Sequence, residues 1–509
     1  MITRPPGTSE TRSFTTVFLI EMWERFGYYG MAALLVLFMI DKIGFADEHA
    51  NLTWGAFTAL VFSAPSIGGW IGDKVLGARR TMTLGAIVLA LGYFMLALPY
   101  DALGFMYASL GVIVVGNGLF KSNAANLVRR IYEGDIARID SAFTIYYMAV
   151  NIGSTFSMLA TPWIKDHWGW HAAFAVCCGG MLLGLLNFAL MRRTLAHIGS
   201  APDEAPLNWR RLFAVIGGGV LLALATVFIL QHKAVAVTCV YGAGVAILAI
   251  FGYMLSVCDR SERAGLVAAL ILVFQVILFF VFYQQMSTSL TLFALRNVDP
   301  SFSIAGQHLF SWSAAQFQAL NPIWIMLLSP MLALAYTRLG RSGRDISVAA
   351  KYALGFVVVA IGFFVFGLSG RYAVEGRVSS WFMVAGYGLY SLGELLVSGL
   401  GLAMIARYVP ARMSGFMMGA YFVATGVSQY LGSVVANLAR VPSGSLDAVQ
   451  SLPLYTHLFF GLGWLATAGA AIAFILLPLL NKLSREHHRA LQSGEETHAS
   501  ETLLRVSST

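Results

Sequence analysis

The chain has 509 residues, of which 58% are hydrophobic and 11% charged, and its mean hydropathy is +0.72. A soluble protein of this length needs far more polar surface, so the composition excludes a soluble globular protein and indicates a polytopic membrane protein. The formal charge of +8 is then no sign of nucleic-acid binding, because its meaning depends on where the basic residues fall relative to the bilayer.

The first dozen residues are polar, and no short apolar core with a small-residue cleavage site follows, so no cleaved signal peptide is expected. A span needs about 20 apolar residues to cross a ~30 Å hydrocarbon core. That rule predicts about fourteen spanning helices, near 16–40, 52–72, 81–99, 103–128, 141–163, 171–191, 212–230, 234–256, 266–290, 317–337, 351–369, 380–405, 413–438 and 456–480. The connections are mostly short, which leaves no room for a sizeable soluble domain. Cys177, Cys178, Cys239 and Cys258 lie in or beside apolar segments without metal-ligand spacing or a disulfide pattern.

Basic residues cluster on alternate connections: Arg79–Arg80, Arg129–Arg130, Arg192–Arg193, Arg210–Arg211, and Arg338, Arg341 and Arg344. This asymmetry favours both termini in the cytoplasm, as an even number of spans requires. The second span ends in "GGWIGDKVLGARRT" and the tenth in "AYTRLGRSGR". Both are basic, glycine-containing turns after the second helix of a six-helix half, which suggests an internal duplication. The expected organisation is a cytoplasmic segment (1–14), a six-helix bundle (15–191), a linker with two extra spanning helices (192–263), a second six-helix bundle (264–482) and a cytoplasmic tail (483–509).

Few charges remain inside spans: Glu21, Glu24, Arg25, Lys121 and Glu394. Charged groups are costly in lipid, at ~2.5–3.5 kcal/mol or more near the centre, so these five are functional candidates. In "FLIEMWERFGYYGMAALLVLF", Glu21, Glu24, Arg25 and Tyr28 fall on one helical stripe, with Tyr29 bordering it. The stripe points into the bundle, while Leu34, Leu35 and Leu37 are free to meet lipid or neighbouring helices. Two carboxylates beside one guanidinium resist being ionised together in a poorly hydrated site. They should titrate as a coupled unit and take up or release a proton as their surroundings change. A lone Glu–Arg pair would read as a static tie between helices; the second glutamate, with Lys121 and Glu394, favours a proton-handling site. Lys121, in "GNGLFKSNAANLV", could instead snorkel to the surface on its long stem.

Glu394, in "YSLGELLVSGLGL", has no basic residue within a helical turn, so its partner must come from another helix or from a ligand. Asn151 and Asn321 are buried-amide candidates, each also suited to an interhelical hydrogen bond. Taken together, Arg25 and Lys121 suit a carboxylate, Glu394 an ammonium, and the amides a peptide unit. The layout complements a short zwitterionic peptide laid across the two halves.

"EMWERFGYYG", "FTIYYMAVNIGS", "GELLVSGLGLAM" and "FSWSAAQFQALNPIWI" resemble the proton-dependent oligopeptide transporters, and within them the bacterial dipeptide and tripeptide permeases. The glycine-rich turn resembles that of the wider major facilitator superfamily. The likeness runs from about residue 14 to 482. It implies an all-α major facilitator fold of two six-helix bundles plus an extra helix pair. It also implies a proton-coupled symporter that imports di- and tripeptides across a bacterial inner membrane by alternating access. Glu21 and Glu24 would then serve proton coupling, with Arg25 and Lys121 shared between coupling and the substrate carboxylate. Tyr28 and Tyr29 would line the pocket, Asn151 and Asn321 would meet the peptide backbone, and Glu394 the amino terminus. No cofactor is expected beyond the proton as coupling ion. The expected partners are peptides, protons and the bilayer, without nucleic acid, and a monomer is expected.

The sequence departs from that pattern in places. Gln284 and Gln285 stand where many relatives carry an acid, Phe62 and Tyr421 stand where a tyrosine and a tryptophan are common, and Ser122 follows Lys121 in place of proline. No histidine falls within the expected second span. The nearest rival reading is the same fold moving nitrate or an organic acid, which Glu394 would repel. An intramembrane enzyme lacks both zinc-ligand spacing and a Ser/His pair at membrane depth. A non-transporting receptor or scaffold would need a substantial soluble domain.

Overall fold

In the computed structural model, residues 9–99, 102–259, 262–342, 346–397, 408–409, 411–441 and 447–507 are described. Residues 1–8 of the expected N-terminal segment, Arg344 and positions 398–405 of the expected twelfth span lie outside them.

Helices occupy all fourteen expected positions, as they must where lipid offers the backbone no hydrogen bonds. Helix α1 (Glu10–Asp41) starts on Ser9, whose side chain accepts from the Arg12 amide. The second span breaks at Pro65 into α2 (Asp47–Ser63) and α3 (Pro65–Lys74). Then come α4 (Ala78–Ala97), α5 (Leu103–Ile131), α6 (Ile136–Trp168) and α7 (Trp170–Met191), followed by the one-turn α8 (Ala201–Glu204). The extra pair is α9 (Trp209–Gln231) and α10 (Lys233–Val257). The ninth span also breaks, into α11 (Arg263–Tyr283) and α12 (Ser289–Asn297), with a 3-10 turn between them. The remaining spans are α13 (Leu320–Arg341), α14 (Val348–Ser369), α15 (Trp381–Val397), α16 (Ala411–Ala436) and α17 (Ala448–Ser507). The tail does not form a separate segment, since α17 continues through it to Ser507.

The all-helical expectation needs one amendment. Strands β1 (Ser301–Ile304) and β2 (Gln307–Ser311) pair antiparallel in the connection between α12 and α13. Ala305 and Gly306 both take positive φ, 50° and 82°, as a two-residue hairpin turn requires. The second span also begins earlier than expected, so it does carry a histidine. His49 lies in its first turn, stacked on Phe45 with ring centroids 4.0 Å apart.

Glycines let α3 and α5 nearly touch. A Cβ on Gly68 would lie 1.8 Å from the Gly118 carbonyl oxygen, and one on Gly72 would lie 1.6 Å from Asn123 Oδ1. Asn123 uses that proximity to donate to the Gly68 carbonyl at 2.8 Å. Ser122 donates to the Pro65 carbonyl at 2.7 Å, so the serine that replaces the usual proline ties Lys121's helix to the break in the second span. Gly68→Val is expected to force the helices apart at a cost of about 3 kcal/mol or more. Monodisperse protein on size-exclusion chromatography should fall sharply; a wild-type profile would disprove the packing argument.

The basic turn between α3 and α4 also fastens the linker. Asp203 accepts from the Arg79 amide at the start of α4, at 3.1 Å. Arg79 donates to the Leu195 and Ala196 carbonyls, and Arg80 to those of Pro202 and Ala205. Beyond the linker, the extra pair straddles the halves. Helix α9 packs on α5 and α2, while α10 packs on α16 and α11.

The links between the first six spans and the last six gather toward the end away from the chain termini. Arg296, just before the hairpin, grips Asp47 with two hydrogen bonds of 2.7 Å each. Glu48 pairs with Arg440 and, at 2.7 Å, with Lys233 of the extra pair. Asn51 donates to Asn437 at 2.8 Å. Gln284 donates to Thr58 at 3.2 Å and to Ser433 at 3.0 Å, so a neutral amide joins the halves through two hydroxyls.

Candidate functional site

The charged stripe of α1 is buried, as its spacing predicts. Glu21, Glu24 and Arg25 are 3%, 0% and 4% exposed. Arg25 Nε donates to Glu24 and lies 3.3 Å from Glu21 Oε1. Among the described residues, one oxygen of each glutamate and Nη2 of Arg25 remain without a hydrogen-bond partner. Buried polar atoms are rarely left so, and here the cluster keeps unused capacity for a proton or an anionic ligand. Leu34, Leu35 and Leu37 are all buried, so they meet neighbouring helices and not lipid.

Tyr28 and Tyr29 continue the stripe beyond the charges. The Arg25 guanidinium carbon sits 5.4 Å from the Tyr28 ring centre and 6.0 Å from that of Tyr29. Tyr146 of α6 reaches Glu21. Lys121 does not snorkel away: its Nζ sits 4.7 Å over the Phe62 ring, within electrostatic reach of Arg25, Glu24 and Glu21. Among the described residues it has neither a hydrogen bond nor an ion pair, so its ammonium is available to a ligand.

At the opposite end of the site, Glu394 of α15 is 6% exposed. Its partner does come from another helix: Asn321 Nδ2 of α13 donates to Glu394 Oε2 at 2.8 Å and to Ser391 Oγ at 3.1 Å. Asn321 therefore holds Glu394; its backbone carbonyl accepts from Ser391 at 3.3 Å, and among the described residues its side-chain Oδ1 is left over. Asn151 donates to the Tyr147 carbonyl one turn back, at 2.8 Å.

Tyrosines join the two ends. Tyr29 of α1 and Tyr283 of α11 meet across the halves, and Tyr29 lies within electrostatic reach of both Arg25 and Glu394. Tyr147 and Tyr390 also flank Glu394. The arrangement is a cationic end, an aromatic middle and an anionic end. It suits a ligand with a carboxylate at one end and an ammonium at the other.

Sequence reasoning missed several of these groups. Tyr146 and Tyr147 sit inside the quoted "FTIYYMAVNIGS", where the tyrosine pair was the available signal. Asp47, Glu48, Arg296 and Arg440 lie at span ends, where charges normally meet water, so nothing marked them as partners. No group of three or more potential metal ligands occurs among the described residues.

The POT family model matches residues 79–452. The dipeptide and tripeptide permease A of Salmonella typhimurium is 41% identical over 483 residues, covering 94% of this chain and 95% of the relative. Its namesake in Escherichia coli K12 is 40% identical over 479 residues, covering 94% of each. The crystal structure of tetrameric PepTSo2 superposes with a TM-score of 0.86 at 57% identity, covering 93% of this chain and 99% of that one.

Proposed function

The chain belongs to the POT family, and from that membership we infer that it is a proton-coupled symporter carrying dipeptides and tripeptides. It is a multi-pass protein of the bacterial inner membrane, and a transporter rather than an enzyme. The basic clusters favour both termini in the cytoplasm, so the Asp47–Arg296 end faces outward. One chain supplies the whole site, which supports a single subunit as the transporting unit, although the related PepTSo2 is tetrameric.

The observation that carries this reading is the pairing of two electrostatic ends across the halves. Arg25 and Lys121 receive the peptide carboxylate, Glu394 receives its amino terminus, and the tyrosines between them sheathe the backbone. Asn151, and the side-chain Oδ1 of Asn321, are left to meet the peptide unit. A proton arriving from outside is held by the Glu21/Glu24–Arg25–Lys121 network while the peptide draws the halves together. Inward opening rehydrates the network, the proton leaves, and the freed carboxylates compete for Arg25 and Lys121 and so loosen the peptide. Nitrate or an organic acid as cargo is disfavoured by Glu394, which would repel an anion in a desolvated site.

The test is uptake of a labelled dipeptide into proteoliposomes, with and without an inward proton gradient, in competition with amino acids, tripeptides and tetrapeptides. Gradient-dependent accumulation, blocked by tripeptides and spared by amino acids and tetrapeptides, is expected. Accumulation that ignores the gradient would overturn the coupling.

Outward closure rests on Asp47 and Arg296, a two-pronged pair whose acid is 5% exposed. Removing one partner of such a pair costs about 3–5 kcal/mol when both are deeply buried, and less here because Arg296 is a fifth exposed. Asp47→Asn is expected to raise the outward-open population, read as faster labelling of an engineered cysteine beside Asn51. Unchanged labelling would show that the pair is not a latch.

A further inference from the structure

Outside the central site, a groove of about 380 Å³ runs between α3, α5 and α9. Its volume falls in the range of small-ligand clefts, about 300–1,000 Å³. Among the described residues, no charged, amide or hydroxyl side chain lines it. Trp70 and Ile71 form one wall, Val115 and Leu119 the floor, and Gly218 and Leu222 the other wall. The run Gly217–Gly219 keeps α9 thin at this level. A Cβ at Gly218 would meet nothing within 4 Å, so the groove is open where the glycine faces it.

Helical spacing places three cations at the foot of this groove. Lys74 lies four residues beyond Trp70 and seven beyond Ile67, on the α3 face that lines it. Arg211 precedes Val215, Gly218 and Leu222 by four, seven and eleven residues, and Arg210 precedes Ala214 by four. All three are exposed, and none has a carboxylate partner among the described residues. The nearest acid in sequence, Asp73, is engaged by Asn126 at 2.8 Å and Arg130 at 3.4 Å.

A dry groove open to the hydrocarbon, with unpaired cations where that hydrocarbon gives way to headgroups, matches one kind of molecule. We propose that it seats a single acidic glycerophospholipid, with an acyl chain between Trp70 and Gly218 and the headgroup phosphate held by Lys74, Arg210 and Arg211. Ordinary boundary lipid needs neither the three-walled groove nor the converging charges. The seat joins α9 to the first six spans, so the lipid fills the seam between the extra pair and that half.

Native mass spectrometry of the full chain, offered equimolar dioleoyl phosphatidylglycerol and dioleoyl phosphatidylcholine, tests this without reference to peptide transport. Each basic residue near a surface contributes about 1 kcal/mol toward an anionic lipid, so one retained phosphatidylglycerol with at least about ten-fold preference is expected. Gly218→Phe, whose Cβ would meet nothing within 4 Å, sets a ring in the groove and should abolish the retained lipid while leaving the lipid-free melting temperature unchanged. The triple variant Lys74→Gln, Arg210→Gln, Arg211→Gln should still retain a lipid but lose the preference. Equal retention of both lipids by the wild type would overturn the proposal. So would undiminished preference in the triple variant, which keeps the groove intact, or undisturbed retention in Gly218→Phe.

Discussion

Glu21→Gln is expected to abolish peptide accumulation against a gradient while leaving counterflow exchange largely intact. The amide mimics a carboxyl that never releases its proton, at a position 3% exposed and 3.3 Å from Arg25. Exchange needs only the loaded carrier to reorient, and the loaded carrier is the protonated one. Net import needs the empty, deprotonated carrier to return. Moving one charge through 100 mV supplies about 2.3 kcal/mol, or about 50-fold accumulation of a neutral dipeptide, and the variant should fall to parity. Glu24→Gln should behave alike but lose more exchange, because Glu24 bonds Arg25 directly and its loss frees the guanidinium. Uptake into proteoliposomes under an imposed gradient, beside counterflow in the same vesicles, separates the cases. Equal loss of both activities would assign the glutamates a structural role and remove them from coupling.

The second large effect is expected at the anionic end. Glu394→Gln should raise the half-saturating concentration of peptides with a free amino terminus by about 10- to 100-fold, the worth of one hydrogen bond to a charged group. For N-acetylated peptides the change should stay within about 3-fold, because they bring no ammonium and the new amide can still pair with Asn321. The comparison uses one variant and two ligands, so a folding defect would depress both equally. Identical losses for free and blocked peptides would show that Glu394 does not receive the amino terminus.

The α1 stripe was legible because periodicity alone places Glu21, Glu24, Arg25 and Tyr28 on one face, and an apolar chain leaves such a face nowhere to go but inward. Glu394 was legible as an orphan for the same reason. Its holder was not, since Asn321 lies 73 residues away and an amide in a span has many possible partners. The closure at the Asp47–Arg296 end was hidden for a different reason. Asp47, Glu48, Arg296 and Arg440 stand where a charge costs nothing in lipid, so their residue types carry no signal until the fold brings them together. The hairpin at 301–311 escaped because a search for spans of about 20 apolar residues passes over a short alternating stretch between two of them. Ser122 was visible only as a departure, and the bond to Pro65 gives that departure a purpose.

Glu48 has two cationic partners, one on the extra pair and one on the last six spans. Lys233 opens α10, which packs on α16 and α11, at the turn from α9, which packs on α2. The Glu48 side chain is 35% exposed, so its carboxylate bridges the extra pair and the last six spans with water also within reach. A helix pair lying outside the two six-helix halves thereby contributes a charge to the ion-pair cluster that joins them.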